Sequence, residues 1–342
     1  MIALDKKSAD TDTDCDCADT DNGFRKPCGG LLAPDAQKAL ASFGLTLSKN
    51  ILVNPQIFSV RVIDTSRSGK PLVGHYQRFY INMDRHKFDL WLRSLIPENV
   101  EVVGGCVVVA VEKVGEFWRV VYSRNGESKT VTARYIVGAD GAKSIVRNAV
   151  FPRKKIKTYL SIQEWFKAEN SCPYYYSIFD SKLTDCYAWG LSKDDCFILG
   201  GGFTPQNARR NFDELKQKLT RDYGGLGVDL NAPIKTTACL VLRPSSPLQF
   251  CTAKNNAFLI GEAAGFISPS SLEGISYAMQ SASLLAGVFA GKKTCNYAKK
   301  YTGATRGIRF KLTLKLLKCP FMYQPFLRRI VMKSGLRQLM QK

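Results

Sequence analysis

The chain has 342 residues, of which 45% are hydrophobic and 23% charged, and its formal net charge is +20. This length supports a full hydrophobic core and predicts two or more structural units. No run of about 18 or more uninterrupted apolar residues offers a membrane span, and the first residues lead into an acidic stretch rather than a signal peptide. We therefore expect a cytoplasmic globular protein.

The eleven cysteines are an odd number without a CxxC pair, so neither a disulfide framework nor a zinc ribbon is indicated. Cys15, Cys17 and Cys28 have acidic residues between them, but they lack a second well-spaced pair and a nearby histidine. We expect reduced thiols and no metal site.

The first third of the chain alternates strand and helix patterns. MIALD is a short apolar run that predicts a strand ending at Asp5, and the acidic low-complexity stretch SADTDTDCDCADTD after it predicts a loop. PDAQKALASFG predicts a helix, because Pro34 stands near its start and Gly44 at its end. Two antiparallel strands and a further helix are then predicted from ILVNPQIFSVRVID, LVGHYQRFYIN and MDRHKFDLWLRSLI.

The middle of the chain is rich in strand patterns. CVVVAVEKV, EFWRVVYS and SKTVTARYIVGAD predict a meander, and Asn125-Gly126 favours a hairpin turn between the second and third runs. Residues 158–203 predict further strands, and NARRNFDELKQKLTRDYG predicts an amphipathic helix. AFLIG predicts a short buried strand, and a long helix is expected from Glu273 onward.

Two segments have the form of a cofactor-binding turn. In GADGAKSIVR, Gly138 and Gly141 permit a tight turn, and Asp140 offers a carboxylate. The segment FLIGEAAGFISPSSLEGISYAMQSA has the same form, with glycines at Gly261, Gly265 and Gly274. A buried strand that ends in small residues and leads into a helix lets a ligand approach the backbone, and the helix N-terminus offers N–H groups to phosphate. The pair predicts one cofactor site.

These segments resemble the DG motif and the second FAD-binding motif, G-D-A-A-x-x-x-x-P-x-x-G-x-G, of the flavoprotein hydroxylase and geranylgeranyl reductase superfamily. The resemblance implies FAD as the cofactor. It implies that Glu262 replaces the aspartate that binds the ribityl chain and that Pro269 lies near the isoalloxazine ring. Leu272-Glu273-Gly274 resembles the GEG form of the reductase branch. The alternative reading is that Asp140 and Glu262 are ordinary turn and helix-cap residues.

Two further residues follow from the resemblance, which extends along almost the whole chain. RKPCGGLL is similar to the Cys-Gly-Gly segment near the flavin in the reductase branch, which makes Cys28 the candidate catalytic thiol. Arg85 matches an arginine that neighbours the FAD phosphates. The alternatives are a small buried thiol for Cys28 and a surface helix position for Arg85.

DCYAWGLSK resembles the YxWxFPK substrate-cavity motif of the same branch, with Leu191 and Ser192 in place of Phe and Pro. Tyr187 and Trp189 alternate on the predicted strand, so both should face one side of a sheet. The resemblance implies that they line an apolar cavity. Core packing is the alternative.

One part of the superfamily pattern is missing. Its members open with a strand and a G-x-G-x-x-G turn for the pyrophosphate, and an acid about 20 residues later takes the ribose. This sequence has no such turn, and MIALD resembles the second strand, with Asp5 as the ribose acid. We therefore expect an α/β fold with a Rossmann-like FAD domain that is incomplete at its N-terminus, and weak FAD binding by these residues alone.

The predicted organisation is a discontinuous FAD-binding domain, an antiparallel substrate domain and a basic extension. The FAD-binding domain spans residues 1–50, 84–150 and 254–302. The substrate domain spans residues 51–83 and 151–253, and the basic extension spans residues 303–342. The implied function is an FAD-dependent oxidoreductase of the geranylgeranyl reductase type, a reductase or monooxygenase, acting on an apolar substrate such as an isoprenoid. The alternative is a truncated, cofactor-poor relic or membrane-surface binding protein that keeps the fold. The electron donor is not indicated.

The C-terminal segment is strongly basic. After Glu273 the chain has fourteen Lys and Arg residues and no acid. This charge suits an anionic membrane surface, which would make the protein peripheral to the membrane, but a solvated basic surface or packing against the protein's own sheet are alternatives. Alternation from Ile308 to Leu316 resembles a strand, while Pro320 and Pro325 favour short helices and turns. No recognition element for nucleic acid is present.

Overall fold

The computed structural model describes residues 1–7, 28–66, 72–170, 172–291 and 296–335. Its strands are β1 Ile2–Leu4, β2 Leu31–Leu32, β3 Ile57–Asp64, β4 Leu72–Asn82, β5 Glu101–Val103, β6 Cys106–Val114, β7 Phe117–Arg124, β8 Glu127–Ala133, β9 Ile136–Gly138, β10 Lys157–Lys167, β11 Tyr174–Phe179, β12 Ala188–Lys193, β13 Cys196–Phe203, β14 Lys235–Arg243, β15 Ala253–Lys254 and β16 Ala257–Leu259. Its α-helices are α1 Pro34–Ser42, α2 Arg85–Ser94, α3 Ile145–Val150, α4 Ala208–Tyr223, α5 Ile275–Ala290, α6 Tyr297–Ala304, α7 Arg306–Tyr323 and α8 Pro325–Lys333.

Local signals in the sequence place several of these elements as predicted. The Asp84 carboxylate accepts the backbone N–H groups of His86 and Lys87, which fixes the start of α2. Asn125 and Gly126 both have positive φ, the requirement of the hairpin turn that joins β7 to β8. The predicted helices over PDAQKALASFG and NARRNFDELKQKLTRDYG are confirmed as α1 and α4.

The largest sheet of the described residues has eight strands, in the order β14-β10-β13-β12-β11-β3-β4-β2. Only the β11–β3 pair is parallel. One face packs against α4 through Ile162, Phe166 and Phe212. Residues of the opposite face, including Trp189 and Leu191, pack with Ile267 and Leu272 of the second glycine segment. This second face is the wall that meets the glycine turns.

The remaining parallel strands form two small sheets. β1 pairs with β5, while β9 pairs with β16, which also carries β15 at its edge. Among the described residues no strand joins these two pairs. The β6–β7–β8 meander packs Trp118 and Val120 against Ile136 and Val150, so it covers β9 and α3. The mixed α/β architecture expected from the sequence is confirmed.

The C-terminal residues are helical. Ile308 and Leu312, one turn apart on α7, pack against Leu259 and Tyr277. The strand-like alternation arises because Phe310 and Leu314 are also apolar, although both are exposed. Of the two shapes that the sequence allowed, the helical one is therefore correct. No helix within the described ranges is long and apolar enough to cross a membrane.

Candidate active site

The two glycine turns meet at one edge of a sheet. Gly138, at the end of β9, is the register partner of Leu259, and the backbone N–H of Ile260 donates to the Gly138 carbonyl at 3.1 Å. Parallel strands end on the same side, so both turns leave the sheet together. Gly261 and Gly265 follow in a short helical turn with φ of +53° and +78°. The structure thus brings the two predicted halves of the site into contact.

Asp140 begins α3. Its Oδ2 accepts the backbone N–H of Ile145 at 2.7 Å and of Val146 at 3.2 Å, and its Oδ1 accepts the Ser144 hydroxyl at 2.5 Å. Both carboxylate oxygens are therefore engaged at the helix N-terminus. These contacts match the capping alternative, and the cofactor role of Asp140 stays a prediction.

Glu262 stands between the two turns. Its Oε1 accepts the backbone N–H of Leu242 at 2.8 Å, which ties the second turn to β14. A Cβ on Gly141, which has φ of +67°, would lie 3.8 Å from Oε2 of Glu262. A side chain at Gly141 would therefore contact this carboxylate.

Arg147 on α3 connects the two turns directly, and no pattern in the sequence indicated this role. Its guanidinium donates to the Ala142 carbonyl at 2.6 Å and to the Ala263 carbonyl at 3.1 Å. Burial lowers the pKa of Arg147, although nearby Asp140 and Glu262 favour its charged form. The only signal was its place in YIVGADGAKSIVR.

The loop from Ser268 to Gly274 joins the second turn to α5 and lies against the large sheet. The Pro269 carbonyl accepts Arg243 Nε at 3.0 Å, and the Ser271 carbonyl accepts the Tyr187 hydroxyl at 2.7 Å. Gly274 is the N-cap residue of α5. The sheet therefore fixes the loop that carries Pro269.

Leu272 adopts an unusual backbone conformation in this loop. Its φ is +51°, a region that favours glycine, and the superfamily motif has glycine at this position. The side chain packs towards Gly202, where an added Cβ would lie 3.1 Å from Leu272 Cδ1. The backbone keeps the turn of the motif although its residue has changed.

Cys28 lies beside two cations. Burial disfavours the charged form of Arg85, but the Cys28 thiol and Asp89, whose carboxylate is 2.7 Å from Arg85 Nε, outweigh this effect and raise its pKa. The second cation, Lys193 at the end of β12, donates to the Gly30 carbonyl at 3.2 Å and to the Met83 carbonyl at 2.6 Å. The structure therefore brings Cys28 and Arg85 together.

Lys193 is a buried residue whose role the sequence did not reveal. Its Nζ also donates to Asn82 Oδ1 at 2.7 Å, so it joins the Cys-Gly-Gly segment, the end of β4 and the end of β12. Burial lowers the pKa of Lys193 to about 8. Its match to the lysine of the YxWxFPK motif was the available signal.

Tyr187 and Trp189 lie on the same side of the sheet, as predicted, with ring centroids 5.7 Å apart. The indole covers Gly200, where an added Cβ would be 2.6 Å from the ring, and a Cβ on Gly29 would be 3.8 Å from Trp189 Nε1. Trp189 is buried, and its Nε1 has no hydrogen-bond partner among the described residues. This N–H lies between the sheet and the Cys-Gly-Gly segment.

Gln163 is the other orphaned polar group on this face, and sequence reasoning missed it. Both Gln163 and Trp189 are register partners of Gly200, one on each side, so they share a cross-strand row. Gln163 is buried, and its Oε1 has no partner in the part of the chain that the structure describes. An unpaired donor and an unpaired acceptor therefore stand on the two strands that flank Gly200, whose missing side chain leaves room for the indole.

Asp5 directly follows β1, and its role as the ribose acid stays a prediction. Its Oδ2 is 3.3 Å from Arg93 in the last turn of α2, and its backbone N–H donates to Val103 at 2.9 Å. Of the Cys15, Cys17 and Cys28 set, the first two lie outside the described residues. No cluster of three or more potential metal ligands occurs in the ranges that are described.

Comparison with known proteins gives the class. Residues 110–294 match the FAD binding domain family, and the chain belongs to it. This is a class of FAD-dependent oxidoreductases and monooxygenases, and FAD is the cofactor. In particular, the chain is 43% identical over 341 residues to Protein CbrA of Escherichia coli O157:H7, covering all of this chain and 92% of that protein. It is 44% identical to Protein CbrA of Shigella flexneri serotype 5b, covering 88% of that protein.

Solved structures show the same fold at low identity. A geranylgeranyl bacteriochlorophyll reductase-like protein from Thermoplasma acidophilum matches with a TM-score of 0.63 and 18% identity over 93% of this chain and 79% of that one. Klebsiella pneumoniae HpxO, complexed with FAD and uric acid, matches with a TM-score of 0.64 and 14% identity over 92% of this chain and 87% of that one. PqsL from Pseudomonas aeruginosa, a probable FAD-dependent monooxygenase, matches with a TM-score of 0.65 and 15% identity. The match covers 97% of this chain and 92% of that one.

The residues present fit the part of FAD nearest the ring. Glu262 offers a carboxylate where the two turns meet, and a Cβ on Gly141 would face that carboxylate. The loop with Pro269 is held between this point and the aromatic face of the sheet. The G-x-G-x-x-G turn that receives the pyrophosphate in the superfamily is not in this sequence.

Proposed function

We propose that this protein is an FAD-dependent oxidoreductase of the geranylgeranyl reductase type that reduces an apolar substrate such as an isoprenoid. One observation carries the proposal. The aromatic face with Tyr187 and Trp189 is tied by a 2.7 Å hydrogen bond to the loop that carries Pro269, and it also faces Gly29 of the Cys-Gly-Gly segment. An apolar wall thus stands next to the candidate flavin site, with both reductase-type segments on it.

Three groups of this chain would hold the cofactor. The Glu262 carboxylate suits the hydroxyls of a ribityl chain, and Gly141 lies beside it. At the N-terminus of α5, Glu273 already accepts the Ser276 N–H at 2.8 Å, and the remaining backbone N–H groups of the first turn would face the cofactor. When bound, FAD supplies hydride transfer. The protein's contribution is to position the substrate and to exclude water.

The substrate would combine an apolar body with one polar group. Large aromatic side chains on the sheet suit the apolar body, since burial of apolar surface contributes about 25 cal/mol per Å². Trp189 Nε1 and Gln163 Oε1 are a buried donor and a buried acceptor, each unpaired within the described residues. Because such groups are costly to leave unpaired, a substrate hydroxyl that both donates and accepts would satisfy them together.

Cys28 is the proposed proton donor. Its Sγ would give a proton to the substrate carbon, and the neighbouring Arg85 guanidinium would stabilise the thiolate that remains. The thiolate then regains a proton from solvent. Cys28→Ser should slow turnover while leaving substrate affinity unchanged.

The test is reduction of a polyprenol by protein loaded with FAD and reduced with dithionite under anaerobic conditions. We expect flavin reoxidation and a product heavier by one pair of hydrogens, with a raised KM for Trp189→Phe and Gln163→Leu. A product that gains an oxygen atom, and only when air is present, would assign a monooxygenase instead. Protein that retains no bound flavin after incubation with excess FAD would support the cofactor-poor alternative.

A further inference from the structure

Helix α7 is apolar on two opposite faces. Ile308 and Leu312 are buried in the core. On the other side four large apolar side chains are each 50–66% exposed: Phe310, Leu314, Leu317 and Phe321. Their spacing of four, three and four residues places them in one stripe along the helix. The outward face of a surface helix is normally polar, so this stripe indicates a contact with something apolar.

Helix α8 repeats the arrangement on a shorter scale. Met332 is buried, whereas Phe326 and Ile330, one turn apart, are 65% and 52% exposed. α8 is held in place by an ion pair between Arg328 Nε and Asp64 Oδ2 at 2.8 Å, and the Arg328 side chain is only 5% exposed. This pair joins α8 to β3, so the exposed side chains of α8 belong to a fixed surface.

Basic side chains border the apolar stripe of α7. Helical spacing places Arg306 on one side of it and Lys311 and Lys318 on the other, and all three residues are exposed. From residue 274 onward the sequence contains no acid. Within α7 and α8 the stripe is therefore bordered by basic residues and by no acid. Arg328 does not contribute to this charge, because it pairs with Asp64.

We propose that α7 and α8 form a docking surface for an anionic lipid bilayer. The Phe and Leu side chains would enter the acyl region next to the headgroups, and the bordering Lys and Arg side chains would contact lipid phosphates. Charge distinguishes the two apolar partners that this surface could contact, a lipid bilayer and a second copy of the chain. A second copy of this chain would oppose one cationic border to another, whereas an anionic lipid surface is complementary to it.

The docking surface is connected to the candidate active site. Tyr323, the last residue of α7, donates its hydroxyl to the Ser270 carbonyl at 2.9 Å, and its ring packs on the aromatic face of the large sheet. A bilayer on the outer side of α7 would therefore lie against an element that also contacts the loop carrying Pro269. Docking itself requires neither FAD nor turnover.

Cosedimentation with phosphatidylcholine vesicles, with and without phosphatidylglycerol, tests the proposal on the full chain. We expect binding to the anionic vesicles only, reduced by high salt. Phe310→Ser with Leu317→Ser, and separately Arg306→Glu with Lys311→Glu, should each lower the partition coefficient at least about tenfold. Phe117→Ser and Arg124→Glu, which change exposed residues of β7 rather than of α7 or α8, should leave it unchanged. Thermal unfolding of each variant checks that the fold is retained.

Several results would overturn the proposal. They are equal binding to neutral and anionic vesicles, no binding to either, or unchanged binding by both sets of α7 variants. A dimer in light scattering that the Phe310→Ser, Leu317→Ser variant dissociates would instead assign the surface to a second copy of the chain. Because binding is measured without FAD, the outcome is separate from the fate of the proposed reductase function.

Discussion

Gly138 and Leu259 lie opposite each other in the parallel pairing of β9 with β16, 121 positions apart in the sequence. Each residue ends its strand, and each strand leads into one of the two glycine turns. The pairing therefore decides that Gly141 and Glu262 face each other, with Oε2 of Glu262 3.8 Å from an added Cβ on Gly141. A cofactor site composed of distant segments depends on this register.

Glu262→Gln should weaken FAD binding without unfolding the protein. The amide oxygen can still accept the Leu242 N–H, but the charge facing Gly141 is lost. A charge-assisted hydrogen bond contributes about 1.5–3 kcal/mol, so the Kd for FAD should rise about 10- to 150-fold. Fluorescence titration with FAD measures the effect. Glu127→Gln in the exposed hairpin is the control, and equal affinities of the two variants would contradict a cofactor role for Glu262.

Arg147→Met should destabilise the fold and separate the two turns. The change removes charge-assisted bonds to the Ala142 and Ala263 carbonyls, each worth about 1.5–3 kcal/mol. Arg147→Lys should not restore them, since a single ammonium does not reproduce the planar fork of the guanidinium. Urea unfolding measures the loss against the control Arg134→Met, which changes an exposed arginine. Wild-type stability in Arg147→Lys would show that the bridge is unimportant.

The Leu272→Gly variant should be more stable than the Leu272→Ala variant. Both substitutions lose the packing of Leu272 towards Gly202, but only glycine relieves the backbone at φ of +51°. The left-handed region costs a residue with a Cβ about 1–2 kcal/mol, so Leu272→Gly should exceed Leu272→Ala by about 1 kcal/mol in free energy of unfolding. At an ordinary exposed position such as Lys38, within α1, the order should reverse. The same order at both positions would rule out backbone strain at Leu272.

The buried Lys193 side chain should make the stability of the protein depend on pH. Burial lowers its pKa to about 8 in the folded protein, below the ordinary 10.5. Between these values the unfolded chain holds a proton that the folded protein has released, so stability from this group rises with pH. The free energy of unfolding of wild type relative to Lys193→Met should therefore be flat below about pH 8 and rise above it, by up to about 1.4 kcal/mol per pH unit.

The control for this prediction is Lys157→Met. Burial opposes the charge of Lys157, but hydrogen bonds with Tyr159 and Asp185 outweigh it and raise its pKa above 10.5. A group whose pKa is raised on folding contributes its full stability at every pH below its pKa in the unfolded chain. The difference in free energy of unfolding between wild type and Lys157→Met should therefore stay constant between about pH 8 and the ordinary lysine pKa. Urea unfolding over that range decides. A wild-type advantage over Lys193→Met that narrows with rising pH would contradict the buried, depressed lysine.

Local rules accounted for the secondary structure and for the positions of the turns. Pro34 and Gly44 marked α1, and the Asn125-Gly126 pair marked a hairpin, because caps and left-handed turns depend on neighbouring residues. Alternation placed Tyr187 and Trp189 on one face of a strand. The glycine turns were recognisable since both motif halves are short and contiguous.

Long-range partners were not predictable in this way. Arg147 reaches Ala263, 116 residues away, and Lys193 reaches Gly30, 163 residues away, and no spacing rule connects such pairs. The unpaired Gln163 depends on cross-strand register, which one sequence does not show. Arg328 looked like part of a basic surface, but burial against Asp64 makes it a structural residue, and its hydrogen bonds help to lower the pKa of that carboxyl although burial raises it.

The most direct test of the central claim is a crystal structure of the full chain with FAD. The account predicts that the ribityl hydroxyls lie within hydrogen-bond distance of Glu262. It also predicts that the isoalloxazine ring lies between the Pro269 loop and the Cys-Gly-Gly segment, with Trp189 on its substrate side. Flavin bound away from both glycine turns, or a ribityl chain that makes no contact with Glu262, would contradict it.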